Sequence, residues 1–262
     1  MPGTGGRTVA LSGELGSGKS SVSTLLADAL GARRVSTGEA QRQIAAQRGI
    51  STLELNRLSE TDPTIDEEID SVFRSLASVS EPLVVDSRLA WHFLPHSFKV
   101  HLVVDPEEGA RRVLGRTDAS AERYSSLPEA LEKIADRVDS ERRRFRSIYG
   151  IDIFDLHNYD LVIDTSQASP EQVTVGILDH LAPRVPGAGG PALLLAPRRV
   201  VSTRTEGAGA GADPTPGAPA DGGPAALTVV YRRPVFEVVA GASLLQAALD
   251  EGRPLVPAVL AG

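Results

Sequence analysis

The chain has 262 residues, a formal net charge of −7 and 41% hydrophobic residues, and it contains no cysteine. The negative charge argues against general binding to nucleic acid or acidic membranes, and the lack of cysteine excludes disulfides, thiolate catalysis and cysteine-ligated zinc. The N-terminus has no apolar signal-peptide core, and no run approaches the roughly 18 apolar residues of a membrane helix. We therefore expect a cytoplasmic protein without a membrane segment.

A short apolar run from Val9 leads into a glycine-rich stretch of the form G-x-x-x-x-G-K-[ST]. Glycines let successive backbone N–H groups turn inward around a phosphate chain, and the helix that begins at Lys19 adds its unpaired amides. Lys19 is expected to reach the β- and γ-phosphates of ATP, and the Ser20 hydroxyl to bind Mg²⁺. A flexible turn is the structural alternative. The predicted phosphate-binding residues are Gly13, Glu14, Leu15, Gly16, Ser17, Gly18, Lys19, Ser20 and Ser21.

The next part of the chain predicts helices and then a buried strand. The patterns from 38 to 78, including a helix over 53–60, indicate an all-helical insertion between strands of an α/β core. Pro82 to Asp86 is typical of a buried parallel strand that ends in a carboxylate. Ligands of open α/β sheets bind beyond the carboxyl ends of strands, so Asp86 is expected to bind Mg²⁺ through water. The alternative is that Asp86 only caps the following turn. Asp105, before Pro106, is assigned a helix cap and no catalytic role.

Arginines are concentrated in a predicted long helix from about Leu127 to Tyr149. Arg137, Glu141 and Arg144 follow i, i+4, i+7 spacing, so they share one stripe of that helix. Such a stripe is ordinarily a solvated face with ion pairs, for example between Glu141 and Arg137. In a phosphoryl-transfer enzyme, a hinged arginine-rich segment would instead stabilise the moving phosphoryl group and exclude water.

The composition divides the chain into three parts. A last core strand from Tyr159 to Asp164 and a helix that opens at Ser169 complete a phosphate-loop domain over residues 1–182. Residues 183–226 are dominated by Gly, Ala and Pro and predict a flexible linker with one apolar island. Residues 227–262 predict a small α+β appendage, which is too short for a core of its own and should dock on the main domain or on a protein partner.

The order of motifs over residues 7–182 resembles the phosphate-loop nucleoside monophosphate kinases, most closely the archaeal-type cytidylate kinases. The resemblance implies an α/β, three-layer fold with a parallel five-stranded sheet, a helical insertion for the nucleoside monophosphate and a lid. It implies ATP and Mg²⁺ as cofactors and nucleotides as small-molecule substrates. Besides the phosphate loop, the motifs are Ser36–Glu39 with Arg42, Asp62–Asp66, Asp86–Ala90, the lid segment with Arg137, Ser140, Glu141 and Arg144, Ile148–Asp152, and Tyr159–Ser166.

The same resemblance assigns roles and a reaction. It implies that Arg42 and Arg88 grip the acceptor phosphate while ATP phosphorylates CMP or dCMP. Ser87 stands where the family usually has Gly, and Trp91-His92-Phe93 follows where a Gly is common, so a kinase for another or modified nucleotide in a specialised pathway is a second hypothesis. A nucleotide-dependent switch or binding module is a third. The catalytic residues are expected to be Lys19, Arg137 and Arg144, with Arg112 and Arg116 as further lid arginines.

Overall fold

A computed structural model describes residues 8–51, 54–55, 58, 62–115, 124–181, 191–202 and 226–261. Most of the helix predicted over 53–60 and much of the predicted linker lie outside these residues. Within them, no helix combines the length and apolarity that crossing a membrane requires. The α-helices are α1 (Lys19–Leu30), α2 (Thr37–Arg48), α3 (Pro63–Leu76), α4 (Ala90–Phe93), α5 (Pro106–Leu114), α6 (Leu127–Tyr149), α7 (Pro170–His180) and α8 (Ala242–Asp250), with 3₁₀ turns at Leu156–Asn158 and Pro197–Arg199.

The described strands are β1 (Thr8–Gly13), β2 (Arg33–Ser36), β3 (Leu83–Asp86), β4 (Phe98–Val103), β5 (Leu161–Asp164), β6 (Ala192–Leu195), β7 (Val200–Val201), β8 (Leu227–Arg232), β9 (Val235–Ala240) and β10 (Val256–Leu260). They form one ten-stranded sheet in the order β2-β3-β1-β4-β5-β6-β10-β8-β9-β7. The block from β2 to β6 is parallel throughout, whereas β10 runs antiparallel to β6, and β8 runs antiparallel to β9.

Local sequence signals explain where several helices begin. Ser36 and Glu39 form a capping box at α2, and Ser169 forms another with Gln172 at α7. The Asp105 carboxylate accepts hydrogen bonds from two amides in the first turn of α5, which is the cap predicted for it. These caps fix the helix starts at the carboxyl end of the sheet, where α/β folds bind their ligands.

Helices cover both faces of the sheet, as expected of a three-layer arrangement. Alternate residues of β1 enter different cores: Val9 and Leu11 pack with α1 and α7, whereas Ala10 belongs to the core on the opposite face. The second core includes Phe73 of α3 and also Phe236 of β9. The C-terminal strands therefore share a hydrophobic core with the N-terminal part of the chain.

Two sequence predictions need correction. The sheet is mostly parallel but does not stop at five strands, because five further strands continue it past β5. Part of the predicted linker is also wrong: Ala192–Leu195 forms β6, and residues 197–201 form a 3₁₀ turn and β7. The physical reason is tertiary, since β6 pairs on one side with β5 and on the other with β10. The division of the chain into three parts stays a prediction.

Candidate active site

The phosphate loop connects β1 to α1 at the carboxyl end of the sheet. Gly16 and Gly18 have φ angles of 82° and 78°, in the left-handed region that favours glycine. A Cβ atom on Gly16 would lie 2.3 Å from the carbonyl oxygen of Gly109, so the loop packs directly on the backbone of α5. Among the residues that the structure describes, no side chain caps α1, so the amides of its first turn can donate to a phosphate group.

Lys19, the first residue of α1, forms an ion pair with Asp86 at the end of β3. The Asp86 side chain is only 4% exposed. Its carboxylate also accepts hydrogen bonds of 3.4 Å from Arg34 and from Ser23. The loop lysine and the carboxylate predicted to bind Mg²⁺ are therefore adjacent, and Arg34 adds a second cation that sequence analysis missed.

A cavity of about 690 Å³ opens beside Lys19 and Asp86. Its walls come from the phosphate loop, α2, α3, the segment after β3 and α6. Elements far apart in the chain thus bring the predicted acceptor-binding and catalytic arginines to one cavity. The predicted residues that line it are Leu15, Lys19, Ser20, Arg42, Asp86, Arg88, Arg137 and Arg144.

Carboxylates hold three of the arginines in this cavity. Arg88 forms an ion pair with Glu141, and Nε of Arg137 donates to Oε1 of Glu141 at 3.0 Å. Nη2 of Arg144 lies 3.4 Å from Oδ1 of Asp66. The stripe of α6 is therefore ion-paired, as its ordinary interpretation predicts, and it also faces the cavity.

The cavity also has an acidic wall on α3. Asp70 is buried and accepts a hydrogen bond of 2.7 Å from the Tyr149 hydroxyl. Burial raises the pKa of Asp70, and the hydrogen bond from Tyr149 partly offsets that rise. Burial and the contact with Asp70 raise the pKa of Tyr149 above its usual range. Sequence analysis missed both residues, although Asp66, Ile69, Asp70 and Phe73 have the i, i+3, i+4, i+7 spacing of one helix face.

A second cavity, of about 390 Å³, lies on the other side of the phosphate loop. It is lined by loop residues, by Arg112 and by the segment between β5 and α7. Nη2 of Arg112 donates to the carbonyl oxygen of Thr165 at 2.9 Å, and Nε donates to Glu108 at 2.8 Å. Arg112 thus lines a different cavity from Arg137 and Arg144, and Arg116 lies outside the described residues.

The fold and the two cavities define the class of protein. A parallel sheet with helices on both faces, a G-x-x-x-x-G-K-[ST] loop at its carboxyl end and a cation-lined cavity beside the loop lysine are the features of a phosphate-loop kinase. The sequence profile of the cytidylate kinase-like family matches residues 8–167. The chain therefore belongs to the cytidylate kinase-like family, as the motif order predicted.

Individual relatives agree with this assignment. The chain is 36% identical to the cytidylate kinase of Pyrobaculum aerophilum over 173 residues, which is 66% of this chain and 91% of the relative. It is 41% identical to the cytidylate kinase of Methanothrix thermoacetophila over 159 residues, 61% of this chain and 88% of the relative.

A solved structure shares the fold. An uncharacterized protein from Eubacterium ventriosum aligns with a TM-score of 0.51 and 18% sequence identity, covering 68% of this chain and 99% of the other.

Proposed function

We propose that this protein transfers the γ-phosphoryl group of ATP to CMP or dCMP and releases ADP and the nucleoside diphosphate. The observation that supports this proposal most strongly is that five cationic side chains line one cavity beside the phosphate loop: Lys19, Arg42, Arg88, Arg137 and Arg144. A nucleotide switch needs no second set of cations for an acceptor phosphate, whereas a kinase does. Membership of the cytidylate kinase-like family supports the same conclusion.

The donor nucleotide binds along the phosphate loop. The loop amides and Lys19 hold the β- and γ-phosphates, and the cavity beside Arg112 takes the nucleoside end of ATP. The γ-phosphate then lies near Lys19 at the entrance of the larger cavity, where the acceptor binds. This arrangement places donor and acceptor on opposite sides of one loop.

The residues beside Lys19 fit Mg²⁺. The Ser20 hydroxyl and the buried Asp86 carboxylate are hard oxygen donors that line the same cavity. Ser20 would bind the ion directly and Asp86 through water. A bound Mg²⁺ would supply charge neutralisation for the phosphates of ATP.

The acceptor phosphate is held by Arg42 and Arg88. An oxygen of the acceptor phosphate attacks the γ-phosphorus, a new P–O bond forms, and the bond from the γ-phosphorus to the β,γ-bridging oxygen breaks. ADP leaves with that bridging oxygen. No side chain is required as a base, because the attacking phosphate oxygen is already ionised.

The α6 arginines stabilise the group in transfer. Arg137 and Arg144 are roughly half exposed and are held by Glu141 and Asp66. A phosphoryl group carries more negative charge and more acceptor oxygens than a single carboxylate, so it is a stronger partner for a guanidinium. We therefore expect Arg137 and Arg144 to exchange these carboxylates for the phosphoryl oxygens when both substrates are bound.

Asp70, on the acidic wall of the larger cavity, favours an acceptor whose pyrimidine base carries an amino group. Tyr149 donates to Oδ2 of Asp70, and the remaining carboxylate oxygen is an acceptor suited to the exocyclic N–H₂ of cytosine. Uracil would present a carbonyl oxygen to the same carboxylate, and two acceptors repel. Asp70 thus favours CMP and dCMP over UMP.

A coupled assay of ADP release against a panel of nucleoside monophosphates tests the function. We expect CMP and dCMP to stimulate release most, with a lower KM than UMP, and purine monophosphates to be poor acceptors. A modified pyrimidine monophosphate as the best acceptor would support a specialised kinase, since Ser87 and Phe93 also line the cavity. Tight ATP binding with no stimulation by any acceptor would contradict the kinase proposal and favour a switch.

A further inference from the structure

The C-terminal part of the chain reaches the phosphate loop through one arginine. The turn between β8 and β9 carries Arg233, whose Nε lies 3.6 Å from Oε1 of Glu14 in the loop. The Cζ atom of Arg233 also lies 3.9 Å from the centroid of the Phe154 ring, within the range of a cation–π interaction. The family match ends at residue 167, so Arg233 lies outside it.

Glu14 anchors the phosphate loop to β4. Its backbone N–H donates to the carbonyl oxygen of Leu102 at 2.9 Å, and its Oε2 accepts from the N–H of Val104 at 3.0 Å. The Glu14 side chain is only 14% exposed. Burial raises the pKa of the Glu14 carboxyl, and the hydrogen bond from Val104 and the charges of Arg233 and Arg199 oppose that rise.

Arg199 holds the β8–β9 turn in place. Its side chain is 10% exposed, and Nη1 donates to Oδ2 of the fully buried Asp164 at 2.8 Å. Nη2 of Arg199 donates to the carbonyl oxygen of Pro234, next to Arg233. Asp164 ends β5 just before Thr165, which lines the cavity beside Arg112 that we propose for the nucleoside end of ATP. The turn is therefore tied to the same end of the sheet as the donor site.

We infer that Arg233 is a positioning residue for ATP binding, acting through Glu14. A carboxylate in a loop that surrounds a triphosphate repels that ligand unless a cation offsets its charge. Arg233 supplies the cation and fixes the carboxylate against β4, so the loop amides keep their inward orientation. This inference rests on the proposed ATP-dependent function. It also makes the C-terminal part of the chain a component of the donor site.

The test compares the 262-residue chain with its variant Arg233→Ala. We expect the KM for ATP to rise about tenfold, the amount typical of losing one contact to a charged group, while the KM for CMP changes less than about twofold. Arg232→Ala is the matched control, because Arg232 lies in the same hairpin, is 72% exposed and pairs with Glu237 instead of the loop. The control should leave both constants unchanged.

A second background separates positioning from general stabilisation. In Glu14→Gln the loop charge is absent, so adding Arg233→Ala should raise the KM for ATP much less than it does in the parent chain. Equal effects in both backgrounds, or a lower melting temperature without a selective change for ATP, would overturn the inference.

Two further measurements keep the test decisive. If Arg233→Ala folds poorly, Arg233→Lys takes its place in the test. The lysine retains the charge, so its KM for ATP should be intermediate. A KM for ATP as high as that of a charge-removing variant would count against the charge argument. The Kd of ATP, titrated without acceptor, should rise in Arg233→Ala even if no monophosphate stimulates turnover. A failed acceptor assay would thus refute the kinase proposal alone, whereas an unchanged Kd would refute the role of Arg233.

Discussion

The donor and acceptor halves of the proposed site are built in different ways. The donor half is a continuous backbone segment, residues 13–21, packed so closely that Gly16 meets the backbone of Gly109. The acceptor half is a set of charged side chains from α2, α3, α6 and the segment after β3, several of them ion-paired. A loop defined by backbone geometry is fixed before ATP arrives, whereas paired side chains can change partners. We therefore call the donor half the rigid half and the acceptor half the adjustable half.

The largest effect should come from removing Lys19, the cation of the rigid half that lines the larger cavity. Lys19→Ala deletes the cation proposed to contact the transferring phosphoryl group, and loss of one such electrostatic contact lowers kcat by about 10²–10³-fold. Steady-state kinetics at saturating ATP and CMP measure it. Lys133→Ala, on the exposed face of α6, is the matched control and should leave kcat unchanged. Near-normal turnover in Lys19→Ala would show that the donor assignment is wrong.

A smaller and more selective effect is expected in the adjustable half. Arg42→Ala removes the proposed charge-assisted contact to the acceptor phosphate, so the KM for CMP should rise about 10- to 100-fold while the KM for ATP changes little. Initial rates with each substrate varied in turn measure the two constants. Arg48→Ala is the control on the same helix, because Arg48 pairs with Glu68 and does not line the cavity.

The comparison of the halves depends on that selectivity. A parallel rise of both KM values in Arg42→Ala would mean that the two halves are mechanically coupled and that the adjustable half also affects the geometry of the rigid half. A rise confined to CMP would establish that they bind their nucleotides separately.

The same contrast explains what the sequence could predict. The loop, the Asp105 cap, the capping box at Ser169 and the limits of α6 depend on neighbouring residues, so local patterns are sufficient for them. The convergence of Arg42 and Arg88 followed only from resemblance to a family. Residues that act through contacts distant in sequence were missed: Asp70 meets Tyr149, and Arg34 meets Asp86.

One part of the predicted linker was wrong for a related reason. Gly, Ala and Pro dominate residues 183–226, and a four-residue strand within them gives little periodic signal. Ala192–Leu195 is a strand because β5 and β10 supply hydrogen bonds on both sides. Likewise, nothing near Arg233 in the sequence indicates that it contacts Glu14. Pairing partners and ion-pair partners are properties of the folded chain.

A buried histidine, His101, lies beside the rigid half, and its protonation can be tested. His101 of β4 is buried, its Nδ1 lies 3.4 Å from Oγ of Ser12 in β1, and its ring stacks on Tyr159 with centroids 4.5 Å apart. Burial and the nearby charges of Arg88, Arg233 and Lys19 lower the pKa of His101 to about 3. The imidazole is therefore neutral in the folded protein at every pH at which the enzyme would be assayed.

This neutrality has a definite pH dependence. The unfolded chain takes up a proton on His101 below its ordinary pKa of about 6.5, whereas the folded chain does not until about pH 3, so stability falls as the pH drops below 6.5. Between pH 7.5 and 5.5 this one group should reduce the free energy of unfolding by about 1.4 kcal/mol. Urea unfolding of the parent chain and of His101→Asn at the two pH values measures the difference. On acidification, the free energy of unfolding of the variant should fall by about 1.4 kcal/mol less than that of the parent. Equal decreases would mean that His101 takes up a proton in the folded chain as well, and that it is less tightly enclosed than its packing implies.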